Sequence, residues 1–169
     1  AQALAALLGH RGWRGLTALP AIGRALIEQT QPLMEQIAAR PDWQRLVFLG
    51  SGAQYGVASE AMLKMTEMSL TDSQAFHFME YRHGPMSLAG PDTLLIGLLS
   101  GAGHPHEGRV LQEMAALGAS TLALNPTGHA CPATWEIALP PDLHAADLPV
   151  LYLPPLQLLA YYRSLAKGL

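Results

Sequence analysis

The chain has 169 residues, of which 50% are apolar and 14% are charged, with a formal net charge of −3. This length allows one domain with a full hydrophobic core. The scattered basic residues argue against a nucleic-acid partner, and no apolar run approaches the about 18–20 residues of a membrane-spanning helix. The N-terminal residues lack the pattern of a signal peptide. Cys131 is the only cysteine, so no internal disulfide can form and we expect a cytoplasmic protein.

Hydrophobic patterning predicts alternating helices and strands. In chain order, we expect a helix at 17–39, strands at 45–49, 73–78, 93–99, 121–124 and 135–139, and further helices at 53–69, 107–117 and 150–166. Pro32 predicts a break or kink, so the first segment is one helix or two. Strands that alternate with helices indicate an α/β fold, in which helices cover both faces of a parallel sheet.

Glu60, Lys64 and Glu67 are the only charged residues of the second predicted helix. Their i, i+4, i+7 spacing places them along one helical face. On an ordinary surface such a stripe forms weak ion pairs, each worth about 0.2–0.5 kcal/mol. The other positions are mostly apolar or small, which is typical of a largely buried helix. Because unpaired burial of charge is costly, the pattern favours a stripe that faces a cleft or a partner.

A Gly50-Ser51-Gly52 turn joins the first strand to this helix. We expect it to expose backbone N–H groups and the Ser51 hydroxyl at a helix N-terminus, which suits a hydroxyl-rich or anionic ligand. The alternative is a dinucleotide-binding turn. That interpretation is disfavoured because Tyr55 stands where the third glycine belongs and Asp72 precedes its strand instead of ending it.

His83 lies in a predicted loop with Gly84 and Pro85, close to Glu80. Loop histidines are often merely exposed, but a histidine near an acidic group can shuttle protons at neutral pH. The residues that could be imagined as a metal site are His104, His106, His129 and Cys131. Their spacing matches no strong zinc pattern, so we expect no metal and no other cofactor.

The turn LGSGAQYG, the E-x-x-x-K-x-x-E helix and the EYRHGP loop occur in an order and at a spacing that resemble a known family. They resemble the second sugar-isomerase (SIS) domain of double-SIS phosphosugar enzymes. This group includes the isomerase half of glucosamine-6-phosphate synthase, type II glucosamine-6-phosphate deaminases and related ketose/aldose isomerases. The resemblance makes residues 20–169 a SIS domain and residues 1–19 a linker or N-terminal extension. It implies a flavodoxin-like, three-layer αβα sandwich with about five parallel strands.

The resemblance implies catalytic roles for Glu67 and His83. The family glutamate aligned with Glu67 moves a proton between C1 and C2 of the open-chain sugar. The histidine aligned with His83 assists ring opening, typically in the site of the other subunit of a dimer. Together with the turn described above, the resemblance places substrate contacts at Ser51, Gly52, Glu60 and Lys64. It implies a hexose or hexosamine 6-phosphate as substrate, a second copy of the chain and a first SIS domain as partners, and neither nucleic acid nor membrane.

The chain departs from the family pattern at two places. The turn at residues 100–104 lacks the cluster of hydroxyl residues that binds phosphate in the first SIS domain. We also expect this chain to lack the family's C-terminal tail, which carries a functional lysine in the synthases, and Lys167 should not be equated with that lysine. We therefore expect the fragment to be inactive on its own.

Three functional hypotheses remain open. The leading hypothesis is aldose–ketose isomerisation of an amino-sugar or hexose 6-phosphate in the deaminase/isomerase branch, because EYRHGP is nearer to that branch's loop. The alternative is the isomerase domain of a glutamine–fructose-6-phosphate aminotransferase. A further alternative is a non-catalytic regulatory module that binds sugar phosphates.

Overall fold

The structure, a computed structural model, describes residues 17–169. The strands are β1 (Arg45–Gly50), β2 (Ser73–His77), β3 (Thr93–Leu98), β4 (Ser120–Asn125) and β5 (Trp135–Ala138). The helices are α1 (Leu19–Ala38), α2 (Ala53–Ser69), α3 (Phe78–Arg82), α4 (His104–Ala116) and α5 (Leu148–Ala166), with a 3-10 turn at Pro85–Leu88. Residues 1–16 of the predicted linker lie outside the described residues.

All five strands form one parallel sheet in the order β2-β1-β3-β4-β5. Side chains of β1 alternate between the two faces: Leu46 and Phe48 belong to one core cluster, and Val47 and Leu49 belong to the other. The first cluster is covered by α1, α2 and α5, and the second by α3 and α4. The predicted three-layer αβα fold with five parallel strands is therefore confirmed.

The first helix is continuous through Pro32. Leu26, Met34 and Ile37 lie on both sides of the proline and are all buried in the core. Their packing offsets the missing backbone hydrogen bond and steric conflict that proline introduces into a helix. Of the two possibilities for this segment, the structure has one helix.

Arg163 of α5 anchors the end of α1 from inside the protein. The side chain is buried, at 6% exposure. It donates hydrogen bonds to the carbonyl oxygens of Ala38 (3.1 Å), Arg40 (2.6 Å) and Trp43 (3.2 Å). Carbonyl groups at a helix end have no partner within the helix, so this guanidinium supplies donors that the backbone cannot.

The segment after β2 differs from its predicted conformation. We expected a strand to Phe78 and then a loop, but the strand ends at His77 and Phe78–Arg82 is helical. The His77 side chain accepts a hydrogen bond from the Glu80 backbone, and the Glu80 carboxylate accepts one from the His77 N–H at 3.2 Å. This reciprocal cap starts a helix, and it buries Phe78 and Tyr81 one turn apart. The prediction of a continuing strand was wrong for this residue.

Candidate functional site

The charged stripe on α2 consists of two ion pairs that share Lys64. Lys64 Nζ lies 2.9 Å from Glu67 Oε2 and 3.8 Å from Glu60 Oε1. The hydrogen bond that Lys64 donates to Glu67, and the charges of both glutamates, raise the pKa of Lys64. The Glu67 side chain is 51% exposed, so its carboxylate is held in place by an ammonium group and is open to a ligand. A carboxylate of this kind can accept and return a proton.

The stripe faces outward in this chain. The opposite side of α2 is buried through residues that include Val57, Ala58, Ala61 and Met65. Beside Lys64, a groove of about 370 Å³ runs between α1, α2 and α5. Its walls are mainly apolar and comprise Ile27, Lys64, Met68, Pro154, Gln157, Leu158 and Tyr161. Lys64, the central residue of the stripe, therefore borders an apolar groove on the protein surface.

The turn between β1 and α2 lies at the other end of that helix. A Cβ atom at Gly50 would come within 2.4 Å of the Gln54 carbonyl oxygen, so the strand and helix approach too closely for any larger residue. Gly52 has φ +58°, a conformation that glycine adopts without strain. Ser51 and Gly52 line a cleft of about 450 Å³ at the carboxyl ends of β1 and β3. This position, where the strand order reverses, is where open parallel sheets usually bind ligands.

On the opposite wall of this cleft, a buried carboxylate of the protein already accepts the hydrogen bonds that the loop could donate to a ligand. Glu107, at 3% exposure, accepts hydrogen bonds from the Ser100 N–H (2.6 Å) and the Ser100 hydroxyl (3.0 Å). The Gly103 N–H in turn donates to the Ser100 hydroxyl at 3.0 Å. Groups that would otherwise be free for an anion are thus occupied within the protein. This agrees with the missing hydroxyl cluster in the sequence of the loop.

His83 follows directly after the short helix α3 and is exposed. Its backbone N–H donates to the Glu80 carbonyl at 3.1 Å, which closes the last turn. At the other end of α3, the His77 ring stacks on Tyr55 of α2, with 4.0 Å between the ring centroids. His83 therefore follows α3 on the face of the sheet that α3 and α4 cover.

The structure places the predicted residues in different parts of the fold. The Tyr55–His77 stack places the start of α2 beside the end of β2. Thr66 Oγ1 lies 2.9 Å from Ser73 Oγ, which places the end of α2 beside the start of β2. Glu67 is therefore at the amino edge of the sheet. The carboxyl edge, about five residues or 16 Å of strand away, carries Ser51 and Gly52, whereas His83 follows α3 on the other face of the sheet.

The structure offers no metal site among the residues it describes. Within residues 17–169, no group of three or more His, Cys, Asp or Glu side chains could hold a metal ion. The rings of His104 and His129 come near each other, with centroids 6.1 Å apart. In the same range, no helix has the length and apolar character needed to cross a membrane.

Two contacts near the predicted residues were missed from the sequence. Arg82, next to His83, forms a two-point ion pair with Glu113 of α4, with both N···O distances at 2.7 Å. Lys167 donates to the Leu70 carbonyl at 2.8 Å, at the end of α2 that carries Glu67. Each contact joins residues that are far apart in the chain, so no local pattern could have indicated it.

Comparison with known proteins finds a family profile and several relatives that match this chain. The family profile described as SIS domain matches residues 41–131. Glutamine–fructose-6-phosphate aminotransferase (isomerizing) of Pyrobaculum aerophilum is 30% identical over 170 residues, covering 95% of this chain and 28% of the relative. The protein of the same name from Escherichia coli K12 is 29% identical, covering 99% of this chain and 28% of the relative. The chain thus spans less than a third of these curated relatives.

Solved structures of other proteins share the fold of this chain. Glucosamine-6-phosphate deaminase from Thermotoga maritima has a TM-score of 0.82 and 27% identity, covering 98% of this chain and 49% of that one. Tagatose-6-phosphate ketose/aldose isomerase from Escherichia coli has a TM-score of 0.81 and 24% identity, covering 92% and 44%, and so supports the fold. With the profile match over more than half of its length, this chain belongs to the SIS domain family.

Proposed function

We propose that this chain is the second SIS domain of a phosphosugar isomerase. The reaction is aldose–ketose isomerisation of an amino-sugar or hexose 6-phosphate, in the manner of the deaminase/isomerase branch. The observation that carries the proposal is the Glu67 carboxylate, which is half exposed and held at 2.9 Å by Lys64. The related proteins include enzymes whose names contain isomerase, deaminase and isomerizing aminotransferase.

The chemistry requires one group that moves a proton between neighbouring carbons. In the open-chain sugar, Glu67 removes the proton from C2 of the aldose, the electron pair forms a C1–C2 double bond, and the C1 carbonyl oxygen takes up a proton from water to give an enediol. Glu67 then returns its proton to C1 while the C2 hydroxyl loses its proton to water, which yields the ketose. The Lys64 ammonium and the Glu60 carboxylate, both on the same stripe, contact the sugar hydroxyl groups. His83 transfers a proton at the ring oxygen so that the closed sugar opens.

The positions of Glu67 and His83 support a site shared by two chains. Glu67 belongs to α2 and His83 follows α3, and these two helices pack on opposite faces of the sheet, so one chain does not present both side chains to one sugar. We propose that His83 acts in the site of a second copy of the chain. The homodimer is thereby part of the catalytic arrangement.

A first SIS domain is proposed to complete the site with a phosphate-binding loop. The corresponding loop here is occupied by the Glu107 carboxylate. The outward face of α5 is also apolar: Val150, Tyr161 and Leu165 are 37%, 45% and 50% exposed. A helix that is apolar on all sides is normally covered. The first SIS domain would cover this face and would bring its phosphate loop towards the stripe.

The test is substitution of Glu67→Gln in the full-length protein. The assay measures turnover and solvent deuterium exchange at C2 with a panel of hexose 6-phosphates. We expect turnover to fall by about 10²- to 10⁴-fold, with substrate binding retained, because glutamine cannot accept the proton. Glu35→Gln, at an exposed position of α1, is the matched control and should leave both unchanged. Near wild-type exchange in the Glu67 variant would contradict the proposed role.

The same panel separates the alternatives. Dependence on glutamine as nitrogen donor would favour the isomerase domain of an aminotransferase, the function named for the curated relatives. Binding of sugar phosphate without C2 exchange would favour a regulatory module. We place the protein in the cytoplasm, where the lone Cys131 would stay reduced.

A further inference from the structure

We propose that Arg82 and Glu113 form a positioning pair that holds His83 in place for its work on the sugar ring; the proposal rests on the function proposed above for His83. The Arg82 guanidinium donates from Nε to Glu113 Oε2 and from Nη2 to Glu113 Oε1, each at 2.7 Å. The two parallel hydrogen bonds fix the orientation of the guanidinium as well as its distance from the carboxylate, because the planar guanidinium matches the two carboxylate oxygens.

His83 depends on its backbone for its position. Its side chain is exposed, and among residues 17–169 its imidazole makes no hydrogen bond that would orient it. The residue follows the last residue of α3, a helix of five residues. A helix this short has few internal hydrogen bonds and frays easily unless it is held from outside. The position of His83 is therefore set by whatever anchors α3.

The anchors of α3 form a series along the chain. The His77 cap and the buried Phe78 hold its first turn, and the buried Tyr81 holds its middle. Arg82 is the next residue, and its partner Glu113 lies on α4, 31 positions away. The pair is thus the side-chain anchor immediately before His83, and it joins α3 to a longer helix that packs on the sheet.

An ordinary surface ion pair is the competing explanation. Arg82 and Glu113 are 38% and 31% exposed, and pairs at such positions are often worth little. The chain contains a matched example: Arg40 and Asp42 also make two hydrogen bonds, at 3.3 and 2.8 Å, and are 42% and 49% exposed. That pair connects residues two positions apart and anchors no second element. Asp42→Ala is therefore the matched control.

The first measurement is hydrogen exchange of the peptide covering residues 78–88 in the full-length protein. Arg82→Ala and Glu113→Ala should each raise its exchange rate about tenfold, whereas Asp42→Ala should leave it unchanged. Arg82→Lys should fall between wild type and Arg82→Ala, because an ammonium keeps the charge without the two-point geometry. Unchanged exchange in both alanine variants would overturn the inference, whatever their activity.

The second measurement is a double-mutant cycle on turnover. Arg82→Ala should lower kcat by about 10- to 100-fold with KM nearly constant, because misplacing a catalytic group costs rate. In a His83→Ala background, the same substitution should cause no further loss. If the loss of kcat in the double variant equals the product of the two single losses, Arg82 acts independently of His83, and the proposal is overturned. Full activity of His83→Ala would instead refute the function proposed for His83, a result distinct from a failure of the pair to anchor α3.

Discussion

The strand-to-helix turn beside the cleft leads to a strong prediction about stability. A Cβ at Gly50 would lie 2.4 Å from the Gln54 carbonyl oxygen and 2.7 Å from the Tyr55 nitrogen. Both atoms belong to the backbone, which cannot rotate aside as a side chain can. Overpacking of this kind costs about 1–3 kcal/mol, and an immobile neighbour places Gly50→Ala near the upper end. For a chain of this size, about 3 kcal/mol corresponds to a loss of about 6–12 °C in Tm.

Gly56→Ala is the matched control, three residues into α2. A Cβ at Gly56 would meet nothing within 4 Å. Alanine is favoured over glycine in a helix by about 0.5–1 kcal/mol, so Tm should rise by about 1–4 °C. Thermal unfolding followed by circular dichroism measures both variants. A Tm for Gly50→Ala within 2 °C of wild type, about the error of such a scan, would refute the argument from close approach. Equal losses in both variants would also refute it.

Two further predictions concern buried groups. Arg163→Met should lower the free energy of unfolding by about 2–3 kcal/mol, because three backbone carbonyls lose a charged donor. Urea unfolding measures this change. The control is Arg45→Met, which loses one hydrogen bond to Leu88 and a weak ion pair with Asp92, both partly exposed, and should cost less than about 1 kcal/mol. Equal costs for the two variants would contradict the prediction. Burial, and secondarily the Glu136 charge, raises the pKa of the Cys131 thiol from 9.0 to about 11. Iodoacetamide at pH 8 should therefore react about 100-fold more slowly with folded than with unfolded protein, because only the thiolate attacks. The protonated thiol favours the folded state below pH 9, and this contribution should be lost as the pH rises from about 9 to about 11. Equal alkylation rates would contradict the assignment.

Much of the fold could be predicted because its signals are local. The apolar run at β3 and the periodic helices on either side depend on neighbouring residues, and they identify a covered parallel sheet. The error at Phe78 has the same origin. An apolar residue after a short strand continues a strand pattern, and the cap that starts α3 uses His77, which is not among the usual N-cap residues.

The candidate residues of the site were also accessible from the sequence, since the spacing of Glu60, Lys64 and Glu67 determines that they share one helical face. What surrounds these residues in the folded protein could not be predicted from the sequence. The expectation that a mostly apolar helix would direct its charges into a cleft or towards a partner depends on what covers the helix. In this chain the stripe is open to solvent beside an apolar groove.

The sequence by itself determined which side chains could carry acid–base chemistry and which elements hold them. The tertiary structure decided which face of the sheet each element covers. Because α2 packs on one face and α3 on the other, Glu67 and His83 are separated although only 16 positions divide them. The same packing joins Arg82 to Glu113 across 31 positions. Such contacts follow from the layering of helices on the sheet, and no local pattern records them.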